Sequence, residues 1–205
     1  KQLAYFADNQ SHKQQLLEHF INNDNLTQGI IFTATKKMAD RLSDQLYHLD
    51  IKTSALHGDM TQGARSKAIK RFKKNEVKIL VATDLASRGI DVKNISHVFN
   101  YDMPRFPEDY IHRIGRTGRA NNKGVAISLI SPTDREFLKK IEKFINLKLS
   151  IASINGLEPT IISEKEVPKR KGKKRSFKGK NKFFKNQTNA KKRIRGKSSP
   201  SKPNH

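Results

Sequence analysis

Residues 78–83 read Lys-Ile-Leu-Val-Ala-Thr, and Val81 opens a second stretch, Val-Ala-Thr-Asp-Leu-Ala-Ser-Arg-Gly-Ile-Asp-Val, that ends at Val92. Apolar residues in a row, without alternation, predict a strand buried on both faces, as in a parallel sheet. Working outward towards the N-terminus, Thr61–Lys74 predicts a helix with Ala68, Ile69 and Phe72 on its buried face, preceded by a strand at Thr53–His57. Before these lie a strand at Gln28–Ala34 and a helix that Thr35 caps and that runs to Leu49, with Ala39, Leu42, Leu46 and Leu49 at helical spacing. A further strand and helix are expected at Leu3–Phe6 and His12–Asn22. Towards the C-terminus, His97–Tyr101 and Val125–Ile130 read as buried strands. Asp134–Asn146 reads as a helix with the stripe Phe137, Leu138, Ile141, Phe144 and Ile145. Such alternation predicts an α/β domain over residues 1–160, its mainly parallel central sheet covered by helices on both faces. Ligands of such sheets bind beyond the carboxyl ends of the strands.

The charge is unevenly placed. From Lys165 onward the chain holds 17 of its 42 Lys and Arg but one of its 19 Asp and Glu, which is +16 of the formal +23. The segment Lys169–Asn186, KRKGKKRSFKGKNKFFKN, interleaves Phe177, Phe183 and Phe184 with the cations. Residues 161–205 cannot bury enough apolar surface to offset their ordering entropy, so a disordered basic tail is expected. Its composition suits non-specific contact with RNA or DNA, because phosphates pair with cations while bases stack on rings; the alternative is a solubilising or nuclear-import-like tail. The chain has no cysteine, which excludes a disulfide scaffold and a thiolate metal site. No apolar run approaches the roughly 18 residues of a membrane span and no signal-peptide stretch opens the chain, so a cytoplasmic protein without a membrane partner is expected. A first residue of Lys rather than Met reads as a fragment or a processed product. His12, His19, His48, His57 and His97 show no metal-ligand spacing, and no metal site is expected.

Three stretches carry chemistry. In Tyr110–Ala120, YIHRIGRTGRA, Arg113, Arg116 and Arg119 recur every third residue with Gly115 and Gly118 between them. Glycines let a backbone turn tightly against a ligand, and guanidiniums fork onto phosphate. Three of them this close repel one another unless an anion or an acidic partner joins them. In Val81–Val92, Thr83 places a hydroxyl at a strand end, Arg88 a guanidinium, and Gly89 a flexible link to Asp91. The Asp91 carboxylate suits either a sugar hydroxyl or the capping of the next turn. In Leu56–Arg65, LHGDMTQGAR, Gln62 and Arg65 share one face at a helix start, where backbone N–H groups also favour anions.

Taken together, IIFTAT (Ile30–Thr35), LHGDM with Gln62 and Arg65, ATDLASRGID (Ala82–Asp91), YDMP (Tyr101–Pro104) and HRIGRTGR (His112–Arg119) occur in an order that resembles the second RecA-like domain of DEAD-box ATP-dependent RNA helicases, over Gln2–Ile151. The resemblance implies a RecA-like three-layer sandwich. It implies that Arg116 and Arg119 are arginine fingers on the γ-phosphate of ATP, and that Gly89 and Asp91 lie at the ATP ribose. It implies that Arg88, His112 and Arg113 couple this domain to another, and that Thr35, Gly58, Gln62, Arg65 and Thr83 meet the RNA backbone. ATP with Mg²⁺ is the implied cofactor, the ion held by a first RecA-like domain that this chain lacks. RNA, that first domain, and ribonucleoprotein or RNA-decay components are the implied partners. No phosphate-binding loop is present, since Gly196-Lys197-Ser198 has Lys191 where the first glycine belongs, and there is no Asp-Glu-Ala-Asp box. On this reading the chain is half of an active site. The alternative is a non-enzymatic RNA-binding or annealing module that acts through the tail.

The affinity of the 205-residue chain for RNA is expected to fall linearly with salt on logarithmic axes and to be mostly lost on deleting Lys165–His205. Fluorescence-anisotropy titration checks this, and unchanged affinity after the deletion would move the main contact into the body.

Overall fold

Ile79, Leu80, Val81 and Ala82 are all fully buried, as a strand inside a parallel sheet requires. They form β4 of a computed structural model that describes residues 1–23, 25–87, 90, 92, 95–118 and 124–160. The other strands are β1 (Gln2–Phe6), β2 (Gly29–Phe32), β3 (Thr53–Leu56), β5 (His97–Asn100), β6 (Val125–Ile130) and β7 (Ser150–Ala152). The helices are α1 (Gln10–Asn23), α2 (Lys36–Tyr47), α3 (Gln62–Lys73), α4 (Asp84–Ser87), α5 (Pro107–Ile114) and α6 (Arg135–Ile145). All seven strands run parallel, in the order β3-β4-β2-β5-β6-β1-β7.

Side chains of successive strand residues point to opposite faces, and the core divides accordingly. Ile31, Ile79, Val81, Phe99, Ile127 and Leu129 pack on one face against Leu16, Leu17 and Phe20 of α1 and Ala39, Leu42 and Leu46 of α2. On the other face Ile30, Phe32, Leu80, Ala82 and Val98 meet Ala68 and Phe72 of α3. Ala4 and Ile130 meet Tyr110 of α5 and Leu138 and Ile141 of α6. This is the three-layer arrangement expected from the sequence.

The strand ends are level. Leu56, Ala82, Phe32, Asn100 and Ser128 pair in one row across five strands. Past that row the backbone stays knitted, with Thr83 N–H donating to the Leu56 carbonyl and Thr33 N–H to that of Ala82. The loops after β3, β4, β2 and β5 therefore leave the sheet side by side, about 4.8 Å apart at their roots.

Several expectations needed adjustment. The helix capped by Thr35 ends at Tyr47, two residues early, so Leu49 is exposed rather than part of the buried stripe. The last helix starts at Arg135 after a 3₁₀ turn at Pro132–Asp134 and stops at Asn146, whose φ of 51° terminates it; Phe144 of its stripe faces solvent. The first helix begins at Gln10, two residues before the expected start. Strand β7 and helices α4 and α5 were not anticipated. α5 carries readable signals: Pro107 at its first turn, Glu108 and Asp109 beside it, His112 and Arg113 in the last turn. The expected tail, residues 161–205, lies outside the described residues.

Burial holds two core phenols neutral. It pushes Tyr110 up to about 12, and it pushes Tyr101 up to about 12 with help from the neighbouring Asp102 charge. The Tyr110 hydroxyl donates to Gln2 Oε1 at 2.8 Å. A folded-state value above that of the unfolded chain means that this stability is complete below pH 10 and is lost as pH rises from 10 to 12. Urea midpoints are expected to fall across that interval, and Tyr110→Phe is expected to flatten the fall.

Candidate functional site

The level strand ends bring the sequence's separate motifs onto one edge. Thr35 follows β2, Gly58 follows β3 and Thr83 follows β4, three adjacent strands. Thr35 caps α2, its Oγ1 accepting from Met38 N–H at 3.1 Å, and its side chain is exposed. Thr61 caps α3 in the same manner, accepting from Ala64 N–H. That cap sets the first turn so that Gln62 stands exposed while Arg65 donates from Nη2 to the Ala86 carbonyl at 2.8 Å. Arg65 thereby links α3 to the segment that follows β4. Gly58 is exposed, and Thr83 is half-buried.

Beneath this edge lies a charged network whose main members, beyond Arg113, the sequence reading did not single out. Arg113 is 2% exposed. Its Nε and Nη2 donate to the two oxygens of Asp84 at 2.6 and 2.8 Å, and its Nη1 donates to Asn100 Oδ1 at 3.1 Å and to the Asp102 carbonyl at 2.6 Å. The guanidinium lies 4.9 Å from the Phe32 ring centroid. Asp102 extends the network: its Oδ2 accepts Ala34 N–H at 2.9 Å, and its Oδ1 is 3.6 Å from Lys13 Nζ. Lys13, 3% exposed, donates to the Tyr101 carbonyl at 2.7 Å and to Asp134 Oδ2 at 2.8 Å. Asp84 and Asp102 stand inside the quoted motifs TDLASRGID and YDMP, so their positions were legible though their task was not. Lys13, flanked by His12 and Gln14, carried no signal in the sequence.

The arginine stretch divides at Arg113. That side chain turns into the domain, where Asp84, Asn100 and the Asp102 carbonyl take its N–H groups. Beyond it α5 closes at Gly115, where a Cβ would come within 3.1 Å of the Ile111 carbonyl. Gly118 adopts a φ of 72°, which favours glycine. Between them Thr117 Oγ1 donates to the Ile95 carbonyl and its backbone pairs with Ile95. Arg116 Nη1 donates to the Ile90 carbonyl at 2.8 Å. The turn is thus fastened to the ASRGID segment, two stretches far apart in sequence. His112 is exposed on α5, with Nδ1 3.9 Å from Asp109 Oδ1. Arg88, Gly89, Asp91 and Arg119 lie outside the described residues.

Residues 12–121 match the family described as helicase conserved C-terminal domain. The chain belongs to the DEAD-box helicases, as their C-terminal domain. It is 42% identical over 158 residues to the ATP-dependent RNA helicase SrmB of Escherichia coli, covering 77% of this chain and 36% of that protein. It is 43% identical over 157 residues to the DEAD-box ATP-dependent RNA helicase RhpA of Helicobacter pylori, covering 77% of this chain and 31% of that one. The chain therefore spans about a third of the length of the curated relatives it matches. The crystal structure of SrmB bound to regulator of ribonuclease activity A superposes with a TM-score of 0.77 at 41% identity, covering 80% of this chain and 97% of that one. Saccharomyces cerevisiae Dbp5 bound to RNA and ADP BeF3 gives 0.69 at 36% identity, covering 74% and 41%. The RecA-like fold of the helicase domain is therefore shown.

Arg113 is buried and Asp84 part-buried, 2% and 30% exposed. Arg113→Met, which leaves Asn100 Oδ1 and the Asp102 carbonyl without their donor, is expected to cost this helicase domain about 1–3 kcal/mol, and Arg113→Lys is expected to recover little because an ammonium cannot fork onto Asp84. Adding Asp84→Asn to Arg113→Met is expected to cost little more, since the pair is already broken. Urea denaturation of the unsubstituted chain, Arg113→Met, Asp84→Asn and the double variant measures the coupling.

Proposed function

We propose that this domain is the second half of an ATP-dependent RNA helicase and supplies the phosphate-facing arginines and part of the RNA backbone site to a cleft formed with a first RecA-like domain. The observation that carries the reading is the shared edge. Thr35, Gly58, Gln62, Arg65 and Thr83 come from three adjacent strand ends, and the Arg116 turn is fastened to the ASRGID segment. The names of the relatives, ATP-dependent RNA helicases, support the same activity for the intact protein, as does the RNA named with Dbp5.

On this reading, Arg116 and Arg119 reach across the closed cleft to the transferring phosphoryl group, where their positive charge opposes the negative charge that builds on its oxygens. Asp91, beside Gly89, accepts from the ribose hydroxyls. Arg88 and His112 sense closure, and Arg113 holds the Asp84 end of that segment in place. Mg²⁺ and the attacking water are held by acidic residues of the first domain. The RNA edge presents hydroxyls, an amide and a guanidinium to sugar and phosphate rather than to bases, so binding is indifferent to sequence. Closure bends one strand and opens a short duplex; hydrolysis then reopens the cleft. The basic tail tethers the enzyme to structured RNA, with ribonucleoprotein or RNA-decay components of the cytoplasm as its surroundings.

By itself the 205-residue chain is expected to show no RNA-stimulated ATPase, and joining it to a first domain with a phosphate loop is expected to restore it. Arg116→Ala or Arg119→Ala in the joined protein is expected to lower kcat by about 10³-fold or more, with RNA affinity retained. Full turnover by both variants would refute the finger assignment.

A further inference from the structure

Of the five residues placed at the RNA edge, four are uncharged, and the fifth, Arg65, is hydrogen-bonded to the Ala86 carbonyl. Phosphate affinity calls for a further cation. Lys36 is the first residue of α2, immediately after Thr35. Its side chain extends over Gly58, where a Cβ would lie 3.6 Å from its Cε and 3.9 Å from its Nζ. The ammonium therefore stands between Thr35 and Gly58, and there it pairs with the Asp59 carboxylate.

This pair is not a fixture of the fold. Its side chains are 51% and 66% exposed, and exposed pairs contribute little to stability. Two lysines, Lys36 and Lys37, open α2 without an acidic residue in its first turn, an arrangement the helix dipole disfavours. Neither helix stability nor burial accounts for Lys36. The Lys36 hydrogen bond holds the Asp59 carboxyl below the usual carboxylate range, so that carboxylate is ionised at neutral pH. A phosphate oxygen offers the same ammonium an equivalent charge-assisted hydrogen bond.

The loop beneath is held by a second pair. His57, next to Gly58, places Nε2 2.7 Å from Asp40 Oδ1, one turn beyond Lys36 on α2. Among the described residues this is the only hydrogen bond of its ring, whose Nδ1 is buried without a partner. The Asp40–His57 contact joins α2 to the loop after β3 whether or not Lys36 releases Asp59.

We propose that Lys36 is a phosphate ligand of the RNA site and that Asp59 is the internal carboxylate an RNA phosphate displaces from it. The inference rests on the reading of this edge as an RNA surface, and goes beyond it by naming the cation and its competitor.

The test uses the 205-residue chain and a ten-nucleotide oligouridylate, read by anisotropy at several salt concentrations. The tail binds in every variant, so differences between variants read the body. Lys36→Gln is expected to weaken binding about two- to fivefold and to lower the salt slope by about 0.7, whereas Lys36→Arg keeps the slope. Asp59→Asn is expected to tighten binding by a similar factor only while Lys36 is present, and the Lys36 ammonium ¹⁵N resonance is expected to shift with RNA. Equal tightening by Asp59→Asn in the Lys36→Gln background would overturn the exchange. So would a silent Lys36→Gln beside a weakened Arg65→Ala, and in that case the RNA edge stands. If Lys36→Gln, Gln62→Ala and Arg65→Ala are all silent, the RNA edge falls, and this inference with it.

Discussion

A guanidinium taken out of water must be given partners in the directions of its N–H bonds, and the partners of Arg113 are the ends of the sheet. Asp84 follows β4, Asn100 closes β5, Asp102 lies two residues past β5, and Phe32 closes β2 beneath the ring contact. These strands flank the point where the chain changes direction, β2 leading outward to β3 and β4 before β5 forms on its other side. Sheet hydrogen bonds stop at this edge, and Arg113 continues the cross-links one layer further. Such a pair does not of itself guarantee stability, because the desolvation of both ions opposes their attraction. Its effect is geometric: the loops after β2, β4 and β5 have few positions available to them.

Lys13 and Asp102 extend the constraint to the next strands. Asp102 accepts from Ala34 with one carboxylate oxygen and faces Lys13 with the other, while Lys13 reaches Asp134 beyond β6. A helix on one face of the sheet is thereby tied to loops from β2, β5 and β6. The exposed residues above, Thr35 and Gly58 among them, stand on this base. Arg113 is buried with its partners, whereas the Lys36–Asp59 pair is exposed to solvent. The same distinction divides the arginine stretch, where Arg113 serves the fold while Arg116 braces the turn that leads to Arg119.

Much of this was legible in advance. Apolar runs at Gly29–Phe32, Ile79–Ala82 and Val125–Ile130, the last broken only by Ser128, fit strands buried on both faces as in a parallel sheet, and Thr35 sits where an N-cap must. Three places misled. Leu49 has helical spacing but follows the helix's end, because periodicity does not mark termination. The helix Pro107–Ile114 overlaps the arginine–glycine stretch Tyr110–Ala120, whose motif draws attention away from Pro107, Glu108 and Asp109, so α5 does not emerge from the pattern. Arg113 shares its spacing with Arg116 and Arg119, and one-dimensional spacing holds no information about which of three identical side chains turns inward.

The sequence by itself determined the alternation of strands and helices, the family, and the residue types available for phosphate and sugar, since these depend on local pattern and on motifs whose order is preserved along the chain. Only the tertiary structure decided that Asp84 neutralises Arg113, that Arg116 is fastened at Ile90, and that Lys36 meets Asp59 above Gly58. Those pairs join residues 23 to 29 positions apart. Their meeting depends on strand order and register, which bring distant loops to one edge and which no local stretch of sequence encodes.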